Sequence, residues 1–138
     1  MADPAATATP FLERYFTTFD FGSRATLEGF YTSSSRLTFE DTTCTGASEI
    51  VPFLFEAPKQ LEHKRAKTVV DEIGSGGNLS VLVTGLLEFG KRGTTSKFAT
   101  SLVLGRKEGG TDGEERWVIL SQIISISFDG SEEVDMDD

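Results

Sequence analysis

The side chains in this sequence suited to acid–base chemistry beside its predicted apolar elements are Tyr15, Asp20, Tyr31, Glu40, His63 and Asp71. Proton-transfer catalysis needs two such groups held together, with environments that move their pKa values apart. The spacing here does not pair them. His63 sits in Gln-Leu-Glu-His-Lys-Arg-Ala-Lys, a charged stretch that predicts a solvated ring. Asp20 stands beside the end of a first predicted helix, and Asp71 falls on a strand expected to be exposed. No His–Asp spacing marks a dyad. Gly74 to Gly77 lack a following Lys-Ser/Thr and precede no helix, so they make no phosphate loop. Cys44 is the single cysteine, which excludes an intrachain disulfide, gives no zinc cluster and fits a reducing compartment. The sequence points away from catalysis, cofactors and metals, and toward a surface.

A chain of 138 residues, 38% apolar and 25% charged, is expected to form one soluble domain with its own core. Eleven Phe against one Trp and two Tyr suit a deep core or an apolar cavity. No apolar run approaches the roughly 20 residues that span a bilayer. The first ten residues lack the basic start and apolar middle of a secretory signal. Of the net charge of −9, six negative charges belong to Asp129, Glu132, Glu133, Asp135, Asp137 and Asp138, leaving −3 for the rest. No basic stripe is present, so direct nucleic-acid binding is not expected, and without a long apolar run neither is membrane insertion. Residues 1–9 are expected to be flexible, 10–128 to fold, and 129–138 to form a disordered acidic tail.

Thr9-Pro10 predicts a helix start, with Phe11, Leu12, Tyr15, Phe16 and Phe19 at helical spacing until Gly22. A second short helix is predicted from Ser23 to Tyr31, and Ser33 to Ser35 as a break. Arg36 to Glu40 alternates as a first strand and turns through Asp41 to Thr45. Ala47 to Ala57 reads as a third helix, and Val69, Asp71 and Ile73 as one face of a strand. The longest β-type run is Leu79–Phe89, with Val81, Val83, Gly85 and Leu87 on one face and Leu82, Thr84 and Leu86 on the other. Glycine-rich turns at Gly90 to Gly93 and Gly109 to Gly113 separate it from two more strands. One places Phe98, Thr100, Leu102 and Leu104 opposite Ala99, Ser101 and Val103. The other places Val118, Leu120, Gln122, Ile124, Ile126 and Phe128 opposite Trp117, Ile119, Ser121 and Ile123. Helices first and a meander last predict an α+β domain, a curved antiparallel sheet wrapped around three helices of the N-terminal half.

If the helices cover one sheet face, Ala99, Ser101, Val103, Ser121 and Ile123, with Leu86 nearby, are expected on the other. These side chains are small or medium, weakly polar and uncharged, where strands facing water usually carry Lys, Glu and Thr. Such a face is a packing surface for a second subunit.

The order of elements and four strings resemble the nuclear transport factor 2 family over roughly residues 10 to 128. They are Phe11 to Asp20, Leu27 to Glu40 ending in Leu-Thr-Phe-Glu, Gly46 to Ile50, and Leu82 to Leu87. The resemblance implies a cone-like fold shared by a homodimeric carrier importing Ran-GDP, small subunits of the mRNA export receptor, stress-granule binding modules, and enzymes of isomerase and dehydratase type. Phe39-Glu40 matches an aromatic–acid pair that the Ran carrier uses for contact. Two features depart from that carrier: Gly90 and Arg92 stand where its turn has acids, and Ile-Ser-Ile-Ser-Phe stands where its last strand ends in Phe-Arg. A cationic turn would repel the Ran lysine and arginine side chains that an acidic turn attracts. A Gly-x-x-x-Phe strand with a basic turn is closer to the small export subunit. That subunit pairs with an NTF2-like domain of a large receptor and, with it, passes the nuclear pore on phenylalanine-glycine repeats. The resemblance thus implies a non-catalytic protein of nucleus and cytoplasm without cofactors.

Overall fold

The computed structural model describes residues 3–58, 60–74, 77–90, 94–106 and 117–127. The cationic part of the Gly90 to Gly93 turn, the Gly109 to Gly113 turn, Phe128 and the acidic tail lie outside them.

Helix α1 (Pro4–Phe21) carries Phe11, Leu12, Tyr15, Phe16 and Phe19 on its buried stripe, as their spacing requires. It starts at Pro4, not at Thr9-Pro10. Pro4 occupies the first turn, where a missing N–H costs nothing, and Ala5, Ala6 and Ala8 are strong helix formers. Pro10 sits inside the helix. The second helix is a 3₁₀ helix, Arg24–Phe30, and the third is α2 (Ala47–Phe55).

Six strands follow: β1 (Tyr31–Phe39), β2 (Thr42–Thr45), β3 (Leu61–Ile73), β4 (Asn78–Phe89), β5 (Thr94–Arg106) and β6 (Trp117–Ser127). They form one sheet in the order β2-β1-β6-β5-β4-β3. The expected all-antiparallel sheet is corrected at one pair, since β1 runs parallel to β6 and makes the sheet mixed. Ser33 to Ser35 are not a break but an irregularity inside β1. There the Ser35 hydroxyl donates to the Ile119 carbonyl at 2.6 Å and accepts from Thr32 N–H at 2.8 Å, replacing ladder bonds.

Two bulges bend the long strands. In β3 the register shifts between Arg65 and Lys67, leaving Ala66 extra. In β6 it shifts between Ile119 and Ser121, opposite Leu104 and Val103, leaving Leu120 extra. A bulge adds local bend and twist, and it resets which face the following side chains take. Ile119 is therefore fully buried in the core beside Leu104 instead of lying beside Ser121 on the outer face. Leu120 likewise does not share the face of Gln122.

Gly85 is set by the first bulge. It pairs with Arg65, and a Cβ there would overlap the Lys64 carbonyl oxygen and stand 2.9 Å from Ala66 N. Only glycine lets the kinked β3 backbone approach this closely. Gly85→Ala is expected to destabilise the fold by about 2–3 kcal/mol, because backbone rather than a side chain must yield. Urea denaturation should show a lower midpoint, and an unchanged midpoint would mean that the bulge does not depend on the missing methyl.

Candidate functional site

The helices cover the concave face of the sheet, and its convex face is bare. Strand register arranges the bare face in cross-strand rows. One row runs Val69, Leu82, Ser101, Ile123, Thr38 and Thr43. A second holds Asp71, Ser80, Val103, Ser121 and Arg36, and a third Lys67, Thr84, Ala99 and Ser125. Leu86 lies next, between Lys64 and Lys97. All six predicted partner residues, Leu86, Ala99, Ser101, Val103, Ser121 and Ile123, thus share one face. Of the seven exposed large apolar side chains among the described residues, five are here: Val69, Ile73, Leu82, Leu86 and Ile123. The most open of these five is Ile123, 53% exposed near the centre of its row. Small Ser and Ala side chains between Leu82 and Ile123 leave the face flat, and the charges stand around its margin. Such a surface is suited to stack against another sheet, about 10 Å away between backbones.

Phe39 and Glu40, the candidate Ran-type pair, lie at the other end of the cone. Phe39 packs on Phe53 with ring centroids 5.8 Å apart. Glu40 has a left-handed φ of 53°, and its Oε2 accepts the Ile126 N–H at 2.8 Å. The acid is exposed, but one oxygen already closes the end of β6.

The concave side holds a cavity of ≈ 360 Å³ walled mainly by Phe, Leu and Ile side chains from α1, α2, β3, β4, β5 and β6. Its floor is a ring of polar groups. Tyr31 Oη donates to Gln122 Oε1 at 2.7 Å and meets Tyr15 Oη at 2.8 Å. Gln122 Nε2 reaches Tyr15 Oη at 3.3 Å and Thr100 Oγ1 at 3.2 Å.

On its wall the expectation for His63 is overturned. The ring is not solvated but half-buried, between Phe16, Phe19 and Phe98 at centroid distances of 4.7, 5.2 and 5.1 Å. Asp20 holds it twice: Oδ2 accepts the His63 backbone N–H and Oδ1 meets Nδ1, both at 2.8 Å. These residues form the His–Asp pair that spacing did not mark. They lie 43 positions apart, on a helix end and a strand, so nothing local reports it. Asp71, by contrast, is exposed on β3 as expected.

A second missed residue is Arg24. Its guanidinium donates to the carbonyls of Ala57 at 2.7 Å, Pro58 at 2.5 Å and Leu54 at 3.4 Å, while Nε reaches Phe19 O at 3.3 Å. It satisfies the carbonyl ends of α1 and α2 together and thereby fixes one rim of the cavity.

Burial raises the pKa of both tyrosines above the ordinary 10.0, Tyr31 the further. For Tyr15 the hydrogen bonds with Tyr31 and Gln122 oppose burial in part, and for Tyr31 the neighbouring Tyr15 adds to it. Above pH 10 the unfolded chain therefore loses phenolic protons that the folded chain keeps. The stability this pair contributes is complete below pH 10 and is lost as pH rises beyond it. As these are the chain's two tyrosines, absorbance at 295 nm should show no phenolate near pH 10, then a rise that coincides with unfolding. A reversible titration centred at 10.0 in the folded protein would contradict the buried ring.

With this geometry in place, the comparisons with known proteins agree with one another. The nuclear transport factor 2 (NTF2) domain family matches residues 7–126. Nuclear transport factor 2 of Emericella nidulans is 38% identical over 88 residues, 63% of this chain and 70% of that one. Nuclear transport factor 2B of Arabidopsis thaliana is 33% identical over 98 residues, 70% of this chain and 77% of that one. Among solved structures, nuclear transport factor 2 from Cryptosporidium parvum superposes with a TM-score of 0.77 at 22% identity, covering 90% of this chain and 94% of that one. A chain of the Candida albicans Mtr2–Mex67 M domain complex superposes at 0.74 with 13% identity, covering 92% and 96%. These two structures share the fold, and the family match over most of the chain fixes its membership: this protein belongs to the nuclear transport factor 2 family.

Proposed function

We propose that this chain is a non-catalytic nucleocytoplasmic transport factor, the small subunit that pairs with the NTF2-like domain of a large mRNA export receptor. The observation that carries the reading is the bare convex face, whose uncharged centre collects most of the exposed large apolar side chains. Leu82 and Ile123 are the anchors. Ala99, Ser101, Val103 and Ser121 let the partner sheet approach, and Leu86 extends the contact. The pair would act at the nuclear pore, moving between nucleus and cytoplasm on weak contacts with phenylalanine-glycine repeats. The likeness to the Mtr2–Mex67 complex supports a heterodimer, and the named relatives, all transport factors, support a role without catalysis.

The second reading is a homodimeric carrier of Ran-GDP, favoured by the same relatives and by Phe39-Glu40. Two observations weigh against it: the sequence following Phe89 reads Gly-Lys-Arg-Gly, cationic where that carrier has acids, and the Glu40 carboxylate already binds the Ile126 N–H.

Light scattering across dilution separates the readings. The chain alone is expected as a monomer of 15.0 kDa that forms a 1:1 complex on co-expression with the receptor's NTF2-like domain. Ile123→Arg should weaken that complex at least about 100-fold with little change in its own melting, because it adds a charge at the centre of the interface. A homodimer that persists at nanomolar dilution, with Ran-GDP binding abolished by Glu40→Lys, would assign the carrier instead.

A further inference from the structure

The convex face gathers its lysines at one corner. Lys97 stands between Leu86 and Ser127 across the strands, Lys64 lies beyond Leu86, and Lys67 follows in the next row beside Thr84. Lys64 is already compensated, with Nζ 3.3 Å from Glu62 and 3.9 Å from Glu88. Lys67 and Lys97 are exposed and make no ion pair among the described residues. Beside them the small side chains of Ala66, Ala99 and Ser125 leave an open depression of ≈ 450 Å³, lined also by Leu86. Two uncompensated lysines around an apolar hollow suit a ligand that is acidic and apolar at once.

The sequence carries such a segment close by. Strand β6 ends at Ser127, the cross-strand neighbour of Lys97, and residues 128–138 then hold six acids and no base. Glu133, Asp135 and Asp137 alternate with Val134 and Met136, so an extended chain there has one acidic and one apolar side. Lys67 lies three strands and one row from Ser127, roughly 16 Å at about 4.8 Å between strands and about 6.6 Å per two residues. The five residues from Phe128 to Glu132 span about 17 Å when extended, so every acid from Glu132 onward is within reach of Lys67. Tethering gives the segment a local concentration on the order of millimolar, which a free anion must exceed. Its own charges repel a phosphate backbone from the same corner.

We propose that residues 129–138 dock on this basic corner of their own chain. Val134 and Met136 lie over the depression beside Leu86, and the flanking carboxylates meet Lys67 and Lys97, whose long side chains rise around it. Docked there, the segment covers Leu86, one of the residues assigned to the partner, and a receptor domain must displace it to seat fully. That covering role rests on the partner reading; the docking itself does not.

Ion pairs between exposed groups are screened by salt, which provides the test. The full chain with Ser131→Cys takes a nitroxide at that position, because the native Cys44 is buried. Thr38, on the other side of β6, is roughly 14 Å from Ser127 by the same spacings and serves as the reference. At about 20 mM NaCl the label is expected to broaden the amides of Ala66 and Lys67 at least about threefold more than that of Thr38. The contrast should vanish at about 0.5 M NaCl, and in the double variant Lys67→Glu, Lys97→Glu. Equal broadening at low salt, or a contrast that survives high salt or the double variant, overturns the docking. Broadening of ¹⁵N-enriched chain by a spin-labelled, unenriched copy in a mixture would give the segment to a second molecule and overturn it equally. Should the double variant not fold, the salt comparison decides alone. For the covering role, Glu132→Gln, Glu133→Gln and Asp135→Asn together should tighten the complex with the receptor's NTF2-like domain at least about threefold at low salt and leave it unchanged at high salt. Unchanged affinity at low salt overturns that role. Absence of any complex counts against the partner reading instead, and the spin-label result still decides the docking.

Discussion

A sheet has two faces, and this chain has helices for one. The long strands β4 and β5 carry apolar side chains on both sides, yet α1, α2 and the 3₁₀ helix pack only on the concave side. The convex side must either meet water or meet protein, and its uncharged centre suits protein. Ser, Ala and Thr occupy the positions beside Leu82 and Ile123, where a water-facing strand would place Lys or Glu. Charges ring the face at Lys64, Lys67, Lys97 and Asp71 without entering its middle. An interface built this way gains its energy at a few central side chains and its selectivity at the margin.

The same sheet is bent, and the bend makes the second feature. Ala66 and Leu120 are each one residue too many for their ladders, so β3 and β6 twist at those points and the sheet curls around the helices. Curling widens the concave side beyond what three short helices fill. Where apolar packing runs out, polar clamps take over: Asp20 ties the last turn of α1 to β3, and Arg24 ties the ends of α1 and α2 to each other. Both are charge-assisted and largely removed from solvent: Asp20 binds two groups of His63, and Arg24 binds four backbone carbonyls. They fix the backbone at the rim of the cavity.

How much of this the sequence disclosed depended on whether the signal was local. The stripe Phe11, Tyr15, Phe16, Phe19 and the alternation through β4 and β5 repeat at the period of their own element, so the buried and bare faces could be read directly. The bulge in β6 could not, because Leu120 looks like any other apolar residue in an alternating run. Its presence moved Ile119 from the expected outer face into the core. The parallel pairing of β1 with β6 was equally hidden, since the order of elements along the chain does not state which strands become neighbours. His63 was misjudged for a related reason. Its charged neighbours Lys64 and Arg65 describe the strand's other side and edge, while the ring turns inward to an aspartate far away in sequence.

The cavity invites comparison with catalytic pockets of related shape, and its hydrogen bonds show which polar groups are already committed. Acid–base catalysis needs one group ready to give a proton and another ready to take it, both near the working pH. His63 Nε2 is placed to take one. The groups nearest in kind to a donor, Tyr15 and Tyr31, have their hydrogens committed within the floor ring, and burial drives their pKa values further from neutrality. A carboxylic acid kept neutral by its surroundings could serve, but the buried carboxylate here, Asp20, is occupied on both oxygens by His63. What remains among the described residues is an oriented acceptor on an apolar wall, with the exposed carboxylate of Glu56 at the cavity's edge.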